Sequence, residues 1–174
     1  MSRSKTQDTP FTGPVWWVAG MYLLLALLAQ IEVLHFFRFR DVEISLVLVA
    51  VVWYSVRVDI RRAAAYGLIA GILEDVLATQ TGAAWTISTT ATAILAGMLS
   101  RGFFADSIPL LAVIVAVATL IRDLLFWIVM ALEGYPAGHA TQHLHQTLWQ
   151  ALLNAVFASV VLSIVRYNEN RRVR

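Results

Sequence analysis

The sequence predicts an all-α integral membrane protein, a bundle of six transmembrane helices. Three observations lead there. Of the 174 residues, 59% are apolar and only 14% charged, whereas a soluble domain carries about 25% charged residues. The charges gather in short runs between long stretches that hold almost none, the pattern of spans and connecting loops. The lysines and arginines, finally, are distributed as a membrane orientation would distribute them.

A span needs roughly 20 apolar residues, at ~1.5 Å rise each across a ~30 Å hydrocarbon core. The first segment, Pro14–Ile31, meets this requirement. Leu27 and Ala29 make a poor small-x-small cleavage site, so a retained helix is expected rather than a signal peptide. Residues 1–13 before it are polar, with Arg3, Lys5 and Asp8, and read as a cytoplasmic tail. The second segment, Glu43–Val56, is short and leans on Phe36, Phe37 and Phe39 at its start. The third and fourth, Ala63–Thr79 and Ala83–Ser100, are separated only by Gln80, Thr81 and Gly82, a tight turn between antiparallel helices. Ile108–Leu132 and Leu144–Tyr167 complete a single membrane domain over residues 14–167, and 168–174 form a basic cytoplasmic tail. No internal repeat is visible.

With a cytoplasmic N-terminus and six spans, the inner segments hold Arg3, Lys5, Arg57, Arg61, Arg62, Arg101, Arg166, Arg171, Arg172 and Arg174. The outer loops hold only Arg38 and Arg40, and Arg122 lies within a span. This positive-inside bias places both termini in the cytoplasm, and five spans would put one end of the pattern on the wrong side. Topology therefore accounts for the net charge of +2, and no nucleic-acid partner is expected.

Several chemistries are excluded or unsupported. The chain has no cysteine, which removes disulfides, thiolate metal sites and cysteine nucleophiles. The serines lack a nearby base in any recognisable motif, and there is no phosphate-binding glycine loop. His139 and His143 have the i, i+4 spacing of zinc ligands on a helix, with His145 close by. No glutamate stands where a metalloprotease helix requires one, and Pro136 and Gly138 place the segment at an outer interface, so these read as loop histidines. No catalytic residue, metal or cofactor is expected. Trp16, Trp17, Trp53, Tyr54, Trp127 and Trp149 read as interfacial anchors or packing residues.

The polar residues inside the spans are the candidate site. Ala63, Gly67, Gly71 and Asp75 follow one another at four-residue spacing, hence on one helix face. Small residues in such a row let a neighbouring helix approach closely. The next helix has a matching row, Thr89, Ala93, Gly97 and Arg101. These seams either close the bundle or receive a partner helix. A charge at mid-membrane costs several kcal/mol and faces a partner or a water-filled cleft. An ion pair between Arg122 and Asp75 is expected, with Glu74 or Asp123 as alternates and a local Arg122–Asp123 arrangement with water as the competing reading. Gln146, Gln150, Asn154 and Ala158 form a row on the sixth helix that serves either as interhelical glue or as the lining of a cleft.

The run Val42 to Phe104, and above all YGLIAGILEDVLATQTGAAW from Tyr66 to Trp85, resembles the rod shape-determining protein MreD family. Gly67, Gly71 and Asp75 match that family's glycine-glycine-aspartate helix, Gly82 its glycine turn, and a small-residue helix ending at Arg101 follows. The turn TQTG is more compact than the family's usual serine- and proline-containing version, and the first span follows a longer polar tail. The resemblance implies a non-enzymatic subunit of the bacterial cell-elongation machinery in the inner membrane. Such a subunit would bind MreC and help couple MreB filaments to peptidoglycan synthesis by RodA and a class B penicillin-binding protein, in contact with membrane lipids. The family's fold is thought to be similar to that of the substrate-binding (S) subunits of energy-coupling-factor transporters. The alternative function is therefore binding of a vitamin or metal in an outer pocket lined by Glu74, Asp75, Arg122 and Gln146.

Overall fold

A computed structural model of the chain describes residues 14–32, 42, 44–78, 81–99, 107–134 and 140–172. The expectations for residues 1–13, for Phe36, Phe37, Arg38, Phe39 and Arg40, and for Gln80, Arg101, Pro136, Gly138, His139 and Arg174 lie outside these residues. Every regular element among the described residues is a helix: α1 (Trp16–Glu32), α2 (Leu46–Ser55), α3 (Ile60–Ala78), α4 (Ala84–Leu99), α5 (Ile108–Leu132) and α6 (Ala140–Arg172). Each overlaps one of the six apolar segments, but α6 starts before the sixth, so His143 and His145 lie on its first turns rather than in a loop. Among the described residues the chain is all-α.

Local chemistry sets the helix ends. Ser45 caps α2, its Oγ accepting from the Leu48 N–H. Asp59 caps α3 by accepting from the Arg62 N–H at 3.0 Å, which satisfies one of the donors left open in a first helical turn. The Arg57 guanidinium donates to the Trp53 carbonyl at 2.7 Å and lies over the Trp53 ring. A cation there complements the negative end of α2. The α6 helix is 33 residues long, roughly 50 Å, and continues through part of the basic stretch at the chain's end.

The short second segment becomes the central pillar. At 10 residues α2 is only about 15 Å long, yet it packs against each of the other five helices. Val47, Val51 and Tyr54 join it to Ala19, Leu23 and Tyr66 of α1 and α3, while Leu48 and Val52 join it to Val115, Ala118 and Ala158 of α5 and α6. A helix apolar all round is stable where its faces are kept from water, and here neighbours cover most of them.

The outer helices are built inside out relative to a soluble bundle. On α6, Leu144, Leu148, Leu152, Val156, Val160 and Ile164 are all exposed, while Asn154 and Ala158 on the opposite side are buried. On α3, Leu68, Ile72, Leu73, Val76 and Leu77 are exposed while the buried face carries Ala63, Gly67, Ala70, Gly71 and Glu74. Two helical stretches, Ile108–Leu132 and His143–Ile164, are long and apolar enough to cross a membrane, and α1, α2 and α4 are shorter apolar helices.

Candidate functional site

At the centre of the bundle, polar side chains from five helices converge on Arg122. Its guanidinium reaches Glu74 of α3 at 3.1 Å and donates to the Ser45 Oγ at the start of α2 at 2.9 Å. The second Glu74 oxygen accepts from the Thr89 hydroxyl of α4 at 3.0 Å. The side-chain oxygen of Asn154, on α6, accepts from the Ser45 N–H at 2.8 Å, and its Nδ2 donates to Thr119 Oγ1 on α5 at 3.1 Å. Glu74, Thr89, Arg122, Ser45, Thr119 and Asn154 are all buried. Buried charges persist only when paired and hydrogen-bonded, and here each carboxylate oxygen has a donor. The guanidinium also lies 4.4 Å from the centre of the Trp85 ring, a cation–π contact. Phe126 stacks on Trp85 with centroids 4.1 Å apart.

The expected Arg122–Asp75 pair does not form, and Glu74 takes the arginine. Adjacent helical residues point ~100° apart. Asp75 shares its face with Gly67 and Gly71, which looks at α4, whereas Glu74 turns toward α5 and has one more methylene of reach. Asp75 instead caps the neighbouring helix. Its carboxylate accepts from the Trp85 and Thr86 N–H groups at 3.1 and 2.8 Å and from the hydroxyls of Thr86 and Thr81 at 2.6 and 2.9 Å. The first turn of α4 thus receives both an acceptor and a negative charge at its positive end.

The two small-residue rows meet each other. A Cβ on Gly67 would lie 2.5 Å from the Ala93 Cβ, and one on Gly71 2.5 Å from the Thr86 Cα and 2.8 Å from the Trp85 carbonyl. Gly97 faces the Ala63 Cβ at 3.3 Å. The antiparallel α3–α4 pair is consequently sealed along Ala63, Gly67, Gly71 and Asp75, and this seam packs within the bundle. Gly82, in the turn, has φ +56° and lies against the Glu133 carboxylate; the positive φ is what would strain a side chain there, since the Glu133 tip can move aside.

The α6 row divides. Asn154 is interhelical glue, whereas Gln150 lines a polar cleft of about 440 Å³ with Gln30, Ser45, Glu74, Trp85 and Arg122. Gln30 also accepts from the Val47 N–H at 3.3 Å. Gln146 and Asp123 are set apart from the Arg122 network; they line a neighbouring cleft of about 320 Å³ with Trp127, His143 and Thr147. Thr147 is hydrogen-bonded to Asp123, and the His143 ring meets Trp127 edge-on at 4.3 Å. Among the described residues no three histidine, aspartate or glutamate side chains gather as a metal set.

Sequence reasoning missed Ser45, Thr119, Trp85 and Gln30 as site residues. Ser45 had a signal, since a serine directly before an apolar helical run is an N-cap candidate. Thr119 lies one turn from Arg122 and therefore on the same face. Gln30 and Trp85 had none, because their role depends on which helices become neighbours. In comparisons with known proteins, no family model matches the chain, and no characterised protein or solved structure matches it.

Proposed function

We propose that this chain is a six-span protein of the bacterial inner membrane, with both termini cytoplasmic, that serves as a non-enzymatic, MreD-like subunit of the cell-elongation machinery. The observation that carries the membrane placement is the inside-out construction: leucines, isoleucines and valines ring the exterior while the charged and amide side chains point inward. In water such a surface would be far larger than the few hundred Å² that a soluble monomer exposes as a contiguous apolar patch. In lipid it is the stable arrangement, with intramembrane charges facing the interior. The basic residues before α3 then lie inside, and α5 and α6 span the bilayer with ease. The shorter α2 is sheltered by its neighbours.

The elongation role rests on the resemblance carried by residues 66–85. The residues that carry it act together, Gly67 and Gly71 as the close contact and Asp75 as the cap of the following helix. The charged pair supports a non-catalytic reading, since both oxygens of Glu74 and two nitrogens of Arg122 are committed to partners inside the fold. With little of the chain outside the helices, partners such as MreC would be recognised through lipid-facing helix surfaces and juxtamembrane segments.

A second reading is favoured by the 440 Å³ polar cleft, which lies in the size range of small-molecule sites: the substrate-binding subunit of an energy-coupling-factor transporter. Purification of the tagged protein from its native membranes in mild detergent, followed by mass spectrometry, separates the two. Enrichment of MreC with RodA or a class B penicillin-binding protein is the expected result. Enrichment of a coupling subunit with its ATPases, without wall-synthesis proteins, would replace the first reading by the second.

A further inference from the structure

The six helices are not held equally. Each of α2 to α6 packs along two or more neighbours, whereas α1 lies along α2 and reaches α3 through Tyr66. Of its 17 residues Ala19, Leu23 and Leu27 are buried, one row at four-residue spacing, and they share a cluster with Val47, Val51 and Tyr54 of α2. On its other side α1 is parted from α6 by two open spaces. One is an apolar groove of about 410 Å³, lined by Tyr22 and Ala26 opposite Phe157 and Leu162. The other is the polar cleft of about 440 Å³, with Gln30 on α1 and Gln150 on α6. The α3–α4 seam is the contrast, since Gly71 there lies too close to the Thr86 backbone for a methyl group to fit.

The two ends of α1 are tied unequally. Near its start the Ala19 carbonyl accepts from the Tyr66 hydroxyl at 2.8 Å, and the Tyr22 ring meets Trp53 edge-on at 5.6 Å. Near its end Gln30 accepts from the Val47 N–H at 3.3 Å, just beyond the usual range of such bonds. A bilayer does not make up the difference. Lipid tails are as apolar as leucine, so no hydrophobic force draws Leu27 back onto its neighbours. Packing and polar ties are what hold the helix, and the buried row stops at Leu27. Local stability follows the density of such contacts, so it falls toward Gln30. Leu27, Gln30 and Ile31 are also the α1 wall of the polar cleft, which Ser45, Glu74 and Arg122 line as well. The weakly tied end of the least-held helix therefore covers the buried ion pair.

We propose that α1 is a hinged lid, fixed at its Ala19 end and opening at its Gln30 end, which uncovers the Glu74–Arg122 cluster when it swings away from α6. The inference rests on the membrane placement above and is independent of the elongation role. The chain has no native cysteine, so nitroxide labels on pairs of introduced thiols test it, with distances read by pulsed electron paramagnetic resonance in lipid nanodiscs. All labelled positions are exposed. Leu28→Cys with Leu152→Cys reports the Gln30 end against α6, Met21→Cys with Val160→Cys the Ala19 end, and Val76→Cys with Leu152→Cys is a reference on α3. A second, longer distance is expected for the Leu28 pair alone. Its share should rise at least threefold in Gln30→Leu, which removes the outer tie, and Gln30→Ala serves the same purpose if that variant is poorly folded. Tyr66→Phe should instead broaden the Met21 pair. A Leu28 pair as narrow as the Val76 reference, with and without the Gln30 substitution, would overturn the proposal. So would equal broadening of the Leu28 and Met21 pairs, since α1 would then move as a whole and not about a hinge. Recovery of the protein in the soluble fraction without detergent would refute the membrane placement itself.

Discussion

Arg122 is held on three sides, by the Glu74 carboxylate, the Ser45 hydroxyl and the Trp85 ring. Its removal leaves a buried carboxylate without its cation, and breaking one partner of such a pair costs about 3–5 kcal/mol. Arg122→Met should therefore lower the unfolding midpoint steeply in detergent, and adding Glu74→Leu should restore a large part of the loss. The same cycle with Asp75→Ala should show much weaker coupling, because Asp75 serves α4 and its loss removes an N-cap worth about 0.5–2 kcal/mol. Coupling of Arg122 to Asp75 as strong as that to Glu74 would contradict the observed pairing.

The α3–α4 hairpin is the element whose sequence is most constrained. Between Gly71 and the Thr86 backbone there is no room for a methyl group, and backbone cannot swing aside as a side-chain tip can. Gly71→Ala should destabilise the protein by about 1–3 kcal/mol, the range for overpacking. A Cβ on Gly20 in α1 meets nothing within 4 Å. There alanine's better helix propensity should stabilise by up to about 0.8–1 kcal/mol. Thermal unfolding followed by tryptophan fluorescence reads both, and opposite signs are expected for the same chemical change. The buried hydroxyls show a related economy. Ser88, Thr92 and Thr119 donate to the carbonyl four residues earlier, so each is satisfied by its own helix and leaves helix–helix faces free to pack.

At the scale of the whole molecule the decisive property is which way the polarity points. The lack of native cysteine makes orientation directly measurable with single introduced thiols. Ser4→Cys should react with an impermeant maleimide only after the membrane is opened, and Ala137→Cys should react in intact cells whose outer layer has been permeabilised. Labelling of both from the same side would require an odd number of spans between them to be abandoned. The core is likewise a property of the whole: α2, too short to cross a bilayer alone, has its two faces covered by separate groups of helices. Tyr66 ties one of these groups together by donating to the Ala19 carbonyl at 2.8 Å.

The six helices, their approximate ends and the α3–α4 turn were legible in the chain, because apolar runs, caps and glycine turns are local signals. The small-residue rows were legible too, since four-residue spacing fixes a common face whatever the neighbour. The partner of Arg122 was not. Glu74 and Asp75 are adjacent, equally charged and equally deep by sequence, and only the direction in which each faces once α4 has docked separates them. The same holds for Ser45, Thr119 and Asn154, which lie far apart in the chain and meet around α2, and for the cleft and groove, which exist as the space between helices. Helix formation follows from near neighbours in sequence. Which buried charge meets which, and what space remains between them, follows from which helical faces pack together.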